Sequence, residues 1–294
     1  MLALAAALAL SQNPAPVKVL ISVDMEGAAG LTHDDQVNPK GPDYAIGRRL
    51  MIGEANAAIR GAALGGATEV LVVDAHWSQI NLVPDELLES VAVAREGKEA
   101  TVPVTLFTGR PKPMGMMQGI DASFAAAVFV AYHPRAGTAN GVLDHTWSSE
   151  SIADVLVNGK SFGECGLNAA LAGEFGVPVD FLSGDRAACE EARDLLGGIE
   201  TVAVKEGIGR NAARTMLPGE ARRAIEAGVK RGVERRREIR PLKVEGPVRL
   251  AVRFRNANQA FLASQVPGAR LTGPEEVSAQ APNFLEAWRF FYAF

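Results

Sequence analysis

Residues 17–30 read VKVLISVDMEGAAG. Val17 to Val23 is mostly apolar and rich in β-branched residues, the composition of a strand buried on both faces, as in a parallel sheet. The character then changes at Asp24-Met25-Glu26-Gly27. In an extended chain, residues two apart point the same way. Asp24 and Glu26 therefore place two carboxylates on one side, just past the strand end. Ligands of open α/β sheets bind in the crevice beyond the strand C-termini. Two carboxylates there repel each other and lose hydration, and a metal ion is the simplest relief. Taken alone, the Asp-x-Glu pair reads more readily as a polar strand end standing in water.

Outward from this stretch the pattern repeats. Asp43 caps a helix to about Leu64, stopped by Gly65-Gly66, with Ile46, Leu50, Ile59 and Leu64 at helical spacing. A buried strand, Glu69 to Val73, ends at Asp74-Ala75-His76. A short helix (Asp85 to Ser90), a charged loop and a strand (Val102 to Phe107) follow. Ala125 to Ala131 is a third apolar run, ending at Tyr132-His133. Residues 152–157 and 160–162 read as a hairpin around Asn158-Gly159. Glu164 opens a helix to Phe175, Val179 to Leu182 is a strand, Arg186 to Leu196 a helix, and Thr201 to Val204 a short strand. The expectation is an α/β fold over residues 17–207, a mainly parallel central sheet flanked by helices. A smaller C-terminal α+β unit takes residues 208–294, with a basic helix at 218–238, a strand at 248–254 and an aromatic-rich helix at 283–294.

Composition narrows the function classes. The 294 residues are 48% apolar and 22% charged, ordinary for a folded chain with a sizeable core. A net charge of −4 argues against nucleic acid as the main partner. Ala221, Ile225, Val229 and Val233 give the basic helix an inward stripe, so its Arg and Lys residues form a solvated face or a subunit contact. Cys165 and Cys189 cannot build a disulfide framework. The first ten residues are too few to span a bilayer, so no stable membrane insertion is expected. They fit the h-region of a signal peptide with Ala7-Leu8-Ala9 as cleavage site, yet no Lys or Arg precedes Lys18. Both a cytoplasmic and an exported (periplasmic or secreted) chain are compatible with this leader at 1–16.

Three apolar strands thus end in an acid or a histidine at one sheet edge. Asp24, Glu26, His76, His133 and Glu164 are the candidate ligands. Carboxylate oxygens and imidazole nitrogens suit Zn²⁺, and five such groups with one bridging carboxylate could hold two metals about 3.5–4 Å apart. Singly, each has a structural explanation: His133 as a satisfied core histidine, Glu164 as a helix-start acid. The shared edge raises the set above that.

The segments SVDMEG (22–27), DAH (74–76), GRPKPMGMMQGID (109–121), AYHPRAGT (131–138), GVLDH (141–145), GECGLNA (163–169) and SGDRAA (183–188) resemble the zinc-dependent D-aminopeptidases of the DppA type. They occur in the same order over much of the chain from residue 17. The resemblance implies an α/β fold, two Zn²⁺ per subunit and a self-compartmentalising homodecamer that removes N-terminal D-residues, typically D-Ala, from short peptides. It makes Asp24 the bridging ligand, completes the two sites with Glu26, His76, His133 and Glu164, and makes His145 the catalytic histidine. The segment between His76 and His133 is longer than in the type member, Cys165 adjoins a ligand, and the apolar N-terminus is extra. Two other readings fit the residues. One is a metallohydrolase of another substrate class, such as an amidase or phosphatase, although no Gly-rich phosphate cradle is present. The other is a non-catalytic small-molecule-binding α/β module.

Overall fold

The computed structural model describes residues 15–95 and 97–294. The signal-peptide reading falls on residues 1–14, outside the described part. In chain order the elements are β1 (Lys18–Val23), α1 (Asp34–Val37), α2 (Tyr44–Leu64), β2 (Glu69–Asp74), β3 (Ser90–Arg95), β4 (Lys98–Phe107) and β5 (Phe124–Tyr132). Then come β6 (Ile152–Val157), β7 (Lys160–Ser161), α3 (Glu164–Glu174), β8 (Val179–Asp185), α4 (Arg186–Leu196), β9 (Glu200–Gly209) and β10 (Ala212–Thr215). The chain closes with α5 (Pro218–Arg235), β11 (Val248–Phe254), α6 (Ala257–Ala263), β12 (Arg270–Gly273), β13 (Glu276–Ala281) and α7 (Phe284–Ala293).

The large sheet has the order β10-β9-β8-β5-β1-β2-β4-β3. Its six inner strands pair in parallel, and the hairpin strands β3 and β10 close the edges antiparallel. This is the α/β fold expected. β1 alternates between two cores, as a strand buried on both faces must. Val19, Ile21 and Val23 pack with α2 and α5, whereas Leu20 joins the core of α3 and the second sheet. The chain leaves β1 toward β2 on one side and reaches β5 on the other. The ends of β1, β2 and β5 therefore lie side by side, at the switch of strand order where ligands collect.

The second sheet, β12-β13-β11-β6-β7, is antiparallel and packs against α7. It joins the hairpin at 152–161 to strands from 248–281, while β10 and α5, which also follow residue 207, belong to the large sheet and its helix layer. The hairpin turns at Asn158 (φ 51°) and Gly159 (φ 82°), both left-handed as a tight primed turn requires.

The helix expected at Asp85 to Ser90 is absent. Pro84–Glu86 makes one 3₁₀ turn, and the chain then extends as β3. Val91 and Val93 favour the pleated form, and pairing with Lys98–Phe107 satisfies their backbone. The same pairing turns the charged loop into the start of β4. The strand expected at Thr201 to Val204 continues to Gly209, because β10 folds back along it.

Candidate metal centre

Each candidate side chain is delivered by an element end. Past β1, Asp24 N donates to Val130 O at 2.9 Å and Gly27 N to Ala131 O at 2.8 Å, so the turn lies against β5. A Cβ on Gly27 would come within 2.1 Å of Tyr132 O, so only glycine allows this approach. Beneath the turn, buried Lys205 Nζ donates to the carbonyls of Glu26, Ala28 and Leu31. Glu54 Oε1 accepts from Ala29 N at 2.8 Å. Asp74 at the end of β2 accepts from Asn81 N and Nδ2 and from Leu82 N, closing the turn that carries His76. Tyr132, before His133, is fixed by Ser22 Oγ at 2.7 Å and Asn168 Nδ2 at 3.0 Å. Glu164 is the first residue of α3.

These ends converge. His76 Nδ1 lies 2.9 Å from Glu26 Oε2 and 3.4 Å from Asp24 Oδ1. His133 Nε2 lies 3.4 Å from Asp24 Oδ2 and 3.5 Å from Glu164 Oε2. Asp24 thus faces one histidine with each oxygen. His145 stacks on His133 and brings Nε2 to 3.7 Å from Glu164 Oε1. Two groups of donor atoms result, Asp24–Glu26–His76 and His133–His145–Glu164.

The outer hydrogen bonds fix the tautomers. His76 Nε2–H donates to Val37 O at 2.8 Å, His133 Nδ1–H to Pro134 O at 3.0 Å and His145 Nδ1–H to Leu143 O at 2.9 Å. In the neutral imidazole the other nitrogen is then a bare lone pair, and in all three it faces a carboxylate. Lone pair against carboxylate is repulsive unless a cation lies between. Backbone-held imidazoles are the usual outer arrangement of metal-binding histidines. Among the described residues Asp24 Oδ2, Glu26 Oε2 and His133 Nε2 are buried without a hydrogen-bond partner, a state that otherwise costs free energy. Glu164 Oε1 accepts from Trp147 N at 2.7 Å, leaving Oε2 free.

The electrostatics agree with a cation site. Burial, and then the Glu26 carboxylate, push Asp24 up to about 7. Burial opposes charge on His133, yet Glu164 and Asp24 lift it to about 10. His76 is raised well above the imidazole range in the same way, burial being outweighed by Glu26 and Asp24. Glu26 and Glu164 are held low, burial being outweighed by His76 and His133 respectively. The carboxylates thus pull strongly on any positive charge at these nitrogens, whether protons or metal. His145 goes the other way: burial and His133 lower it.

Asp24, Glu26, His76, His145 and Glu164 line a cavity of about 610 Å³. Its walls include Trp77, Gln79, Arg110 and Trp147, none of which the sequence singled out. Trp77 (φ 47°), Gln79 (φ 60°) and Trp147 (φ 64°) enter through left-handed backbone, which no local pattern of non-glycine residues signals. The GRPKP segment around Arg110 was the one available sign.

Known proteins share this architecture. The profile of the D-aminopeptidase family Peptidase_M55 matches residues 17–293. A D-aminopeptidase from Bacillus subtilis (strain 168) is 35% identical over 274 residues, covering 93% of this chain and 94% of the relative. The solved structure of the Zn-dependent D-aminopeptidase DppA from Bacillus subtilis, a self-compartmentalizing protease, superposes with a TM-score of 0.87 at 34% identity. That match covers 94% of this chain and 96% of DppA. The chain therefore belongs to the D-aminopeptidase family, hydrolases that act on peptide bonds.

Proposed function

We propose that this protein is a dinuclear zinc aminopeptidase that removes N-terminal D-residues of the D-alanyl type from short peptides and works as a ring-shaped homo-oligomer, a homodecamer. The observation that carries the metal centre is the placement of Asp24, one oxygen toward His76 and the other toward His133. One zinc would take Asp24, Glu26 and His76, the other Asp24, His133 and Glu164. Zinc bound there supplies Lewis acidity toward the peptide carbonyl and acidifies a water toward neutral pH.

The chain's own groups do the rest. His145 Nε2 is bare, since Nδ1–H is committed to Leu143 O. Its side chain is 16% exposed, against 3% and 1% for His76 and His133, so it faces the cavity more than they do. It takes a proton from the attacking water and returns it to the leaving amine, the ordinary division of labour for a neutral imidazole. Asp34 and Glu150 line the same cavity and supply negative charge for the substrate ammonium.

A panel of D- and L-aminoacyl dipeptides, assayed with and without chelator, tests the reading. It expects turnover of D-alanyl substrates well above their L counterparts, abolished by chelation and restored by zinc. Chelator-insensitive turnover, or equal rates on both hands, would contradict it.

A further inference from the structure

We propose that Arg110, with Gln79 beside it, forms the subsite for the substrate's C-terminal carboxylate and so confines the enzyme to short peptides; this rests on the aminopeptidase reading above. Arg110 and Arg210 are the two arginines lining the cavity. Arg210 Nε is engaged by Asp144 at 3.4 Å. Arg110 has no ion-pair partner among the described residues, and its guanidinium makes one hydrogen bond, Nη1–H to Trp77 O at 3.2 Å. Four of its five N–H donors are therefore free in a fork that matches a carboxylate. The other charged walls are acidic: Asp24, Glu26, Asp34, Glu150 and Glu164. An unpaired guanidinium in such surroundings selects an anion from the substrate, and in a peptide without acidic side chains that anion is the C-terminus.

Gln79 is a second, independent sign. It is 6% exposed and lines the cavity, and its Oε1 is buried without a partner among the described residues. A buried amide oxygen of this kind is satisfied by an N–H donor, which the substrate's last peptide group supplies next to its carboxylate. The segment is built rather than loose. Gln79 O accepts from Gly109 N and from Thr108 Oγ1, and Trp77 O accepts from Arg110. The turn after His76 is thereby tied to the end of β4. Trp77 and Gln79 both hold left-handed backbone, a strain that clusters at ligand-binding sites. Half-exposed Trp77 offers its ring to a substrate side chain at the mouth. Arg110 bonds the carbonyl of Trp77, the residue after His76, and lines the same cavity as Asp24, Glu26, His76 and Glu164. A cavity of about 610 Å³ is within the range that encloses a small ligand. A peptide held between the cluster and Arg110 within that one cavity is a short one.

The test compares the zinc-loaded full-length protein on D-alanyl-glycine and on D-alanyl-glycinamide, which lacks the carboxylate. The expected preference for the free acid is about 10- to 100-fold in kcat/KM, the range of a charge-assisted hydrogen bond, and is carried by KM. In Arg110→Ala the acid-to-amide ratio falls toward one while zinc content stays unchanged, and Arg110→Lys retains part of it. A wild-type ratio near one with both peptides cleaved would overturn the subsite and leave the aminopeptidase reading standing, as would a ratio unchanged in Arg110→Ala. Zinc-loaded protein that cleaves neither peptide would remove both.

Discussion

The imidazoles of His133 and His145 lie stacked, with centroids 3.8 Å apart and planes 14° from parallel. Of these two rings, His133 alone sits between two carboxylates, Asp24 and Glu164. His145 approaches Glu164 alone, at 3.7 Å. With Asp24, Glu26, His76, His133 and Glu164 proposed as the ligands of two metals, His145 is expected to act on substrate. His145→Ala should keep its fold and its zinc while turnover falls about 10²–10⁴-fold, the usual worth of a positioned acid–base group. Zinc occupancy and turnover measured on one preparation decide this. Zinc affinity down about 10–100-fold, with activity restored by excess metal, would make His145 a metal-supporting residue instead.

Asp24 and Glu26 should differ in kind. Asp24 reaches both histidines, whereas Glu26 pairs with His76 alone. Asp24→Ala is expected to disturb both metals and Glu26→Ala mainly one. Metal content and circular dichroism of the two variants provide the comparison. Equal zinc losses at full folding would speak against the bridge.

Asp180 predicts a pH-dependent stability. It is fully buried in β8, and neither carboxylate oxygen has a hydrogen-bond partner among the described residues. Burial raises it well above the carboxylate range, with Arg236 opposing. A folded-state value above the unfolded one means that stability is fully present below about pH 4 and is lost as pH rises through the folded value. Asp180→Val should therefore stabilise the protein by about 1–3 kcal/mol at pH 8 and by less at pH 4. Urea unfolding at the two pH values reads this directly. A variant less stable than wild type at pH 8 would show that the carboxylate has a partner in solution.

The basic helix α5 should not bind nucleic acid. Arg231 and Arg235 both pair with Glu200, at 3.2 and 2.5 Å, and Lys230 pairs with Glu234 at 2.6 Å. Its apolar stripe of Ala221, Ile225, Val229 and Val233 is buried against α2 and the sheet. Duplex-DNA titration at physiological salt is expected to show no binding. Salt-sensitive binding lost on replacing Arg235, Arg236 and Arg237 would contradict this.

Much of the candidate site is legible in the sequence because its residues terminate apolar runs. Val17 to Val23, Glu69 to Val73 and Ala125 to Ala131 announce buried strands, and parallel pairing brings their ends to one edge. What local pattern cannot carry is partnership at long range. β6 joins β11 across about ninety residues, so the second sheet draws on both sides of residue 207. Pro84, Asp85 and Glu86 open like a helix but close only one 3₁₀ turn, and the charged stretch after Ser90 becomes β3 only through its partner β4. Arg110 and Gln79 come together through left-handed turns and bonds between the ends of β2 and β4. Neither signal exists in the order of residues alone.

The central claim is a two-metal centre built around Asp24. Elemental analysis of purified, unchelated protein, normalised to chain concentration, tests it most directly. The account predicts about two zinc ions per chain, both lost to chelator together with activity. Protein that is active and folded yet holds no transition metal, or saturates at one, would contradict it.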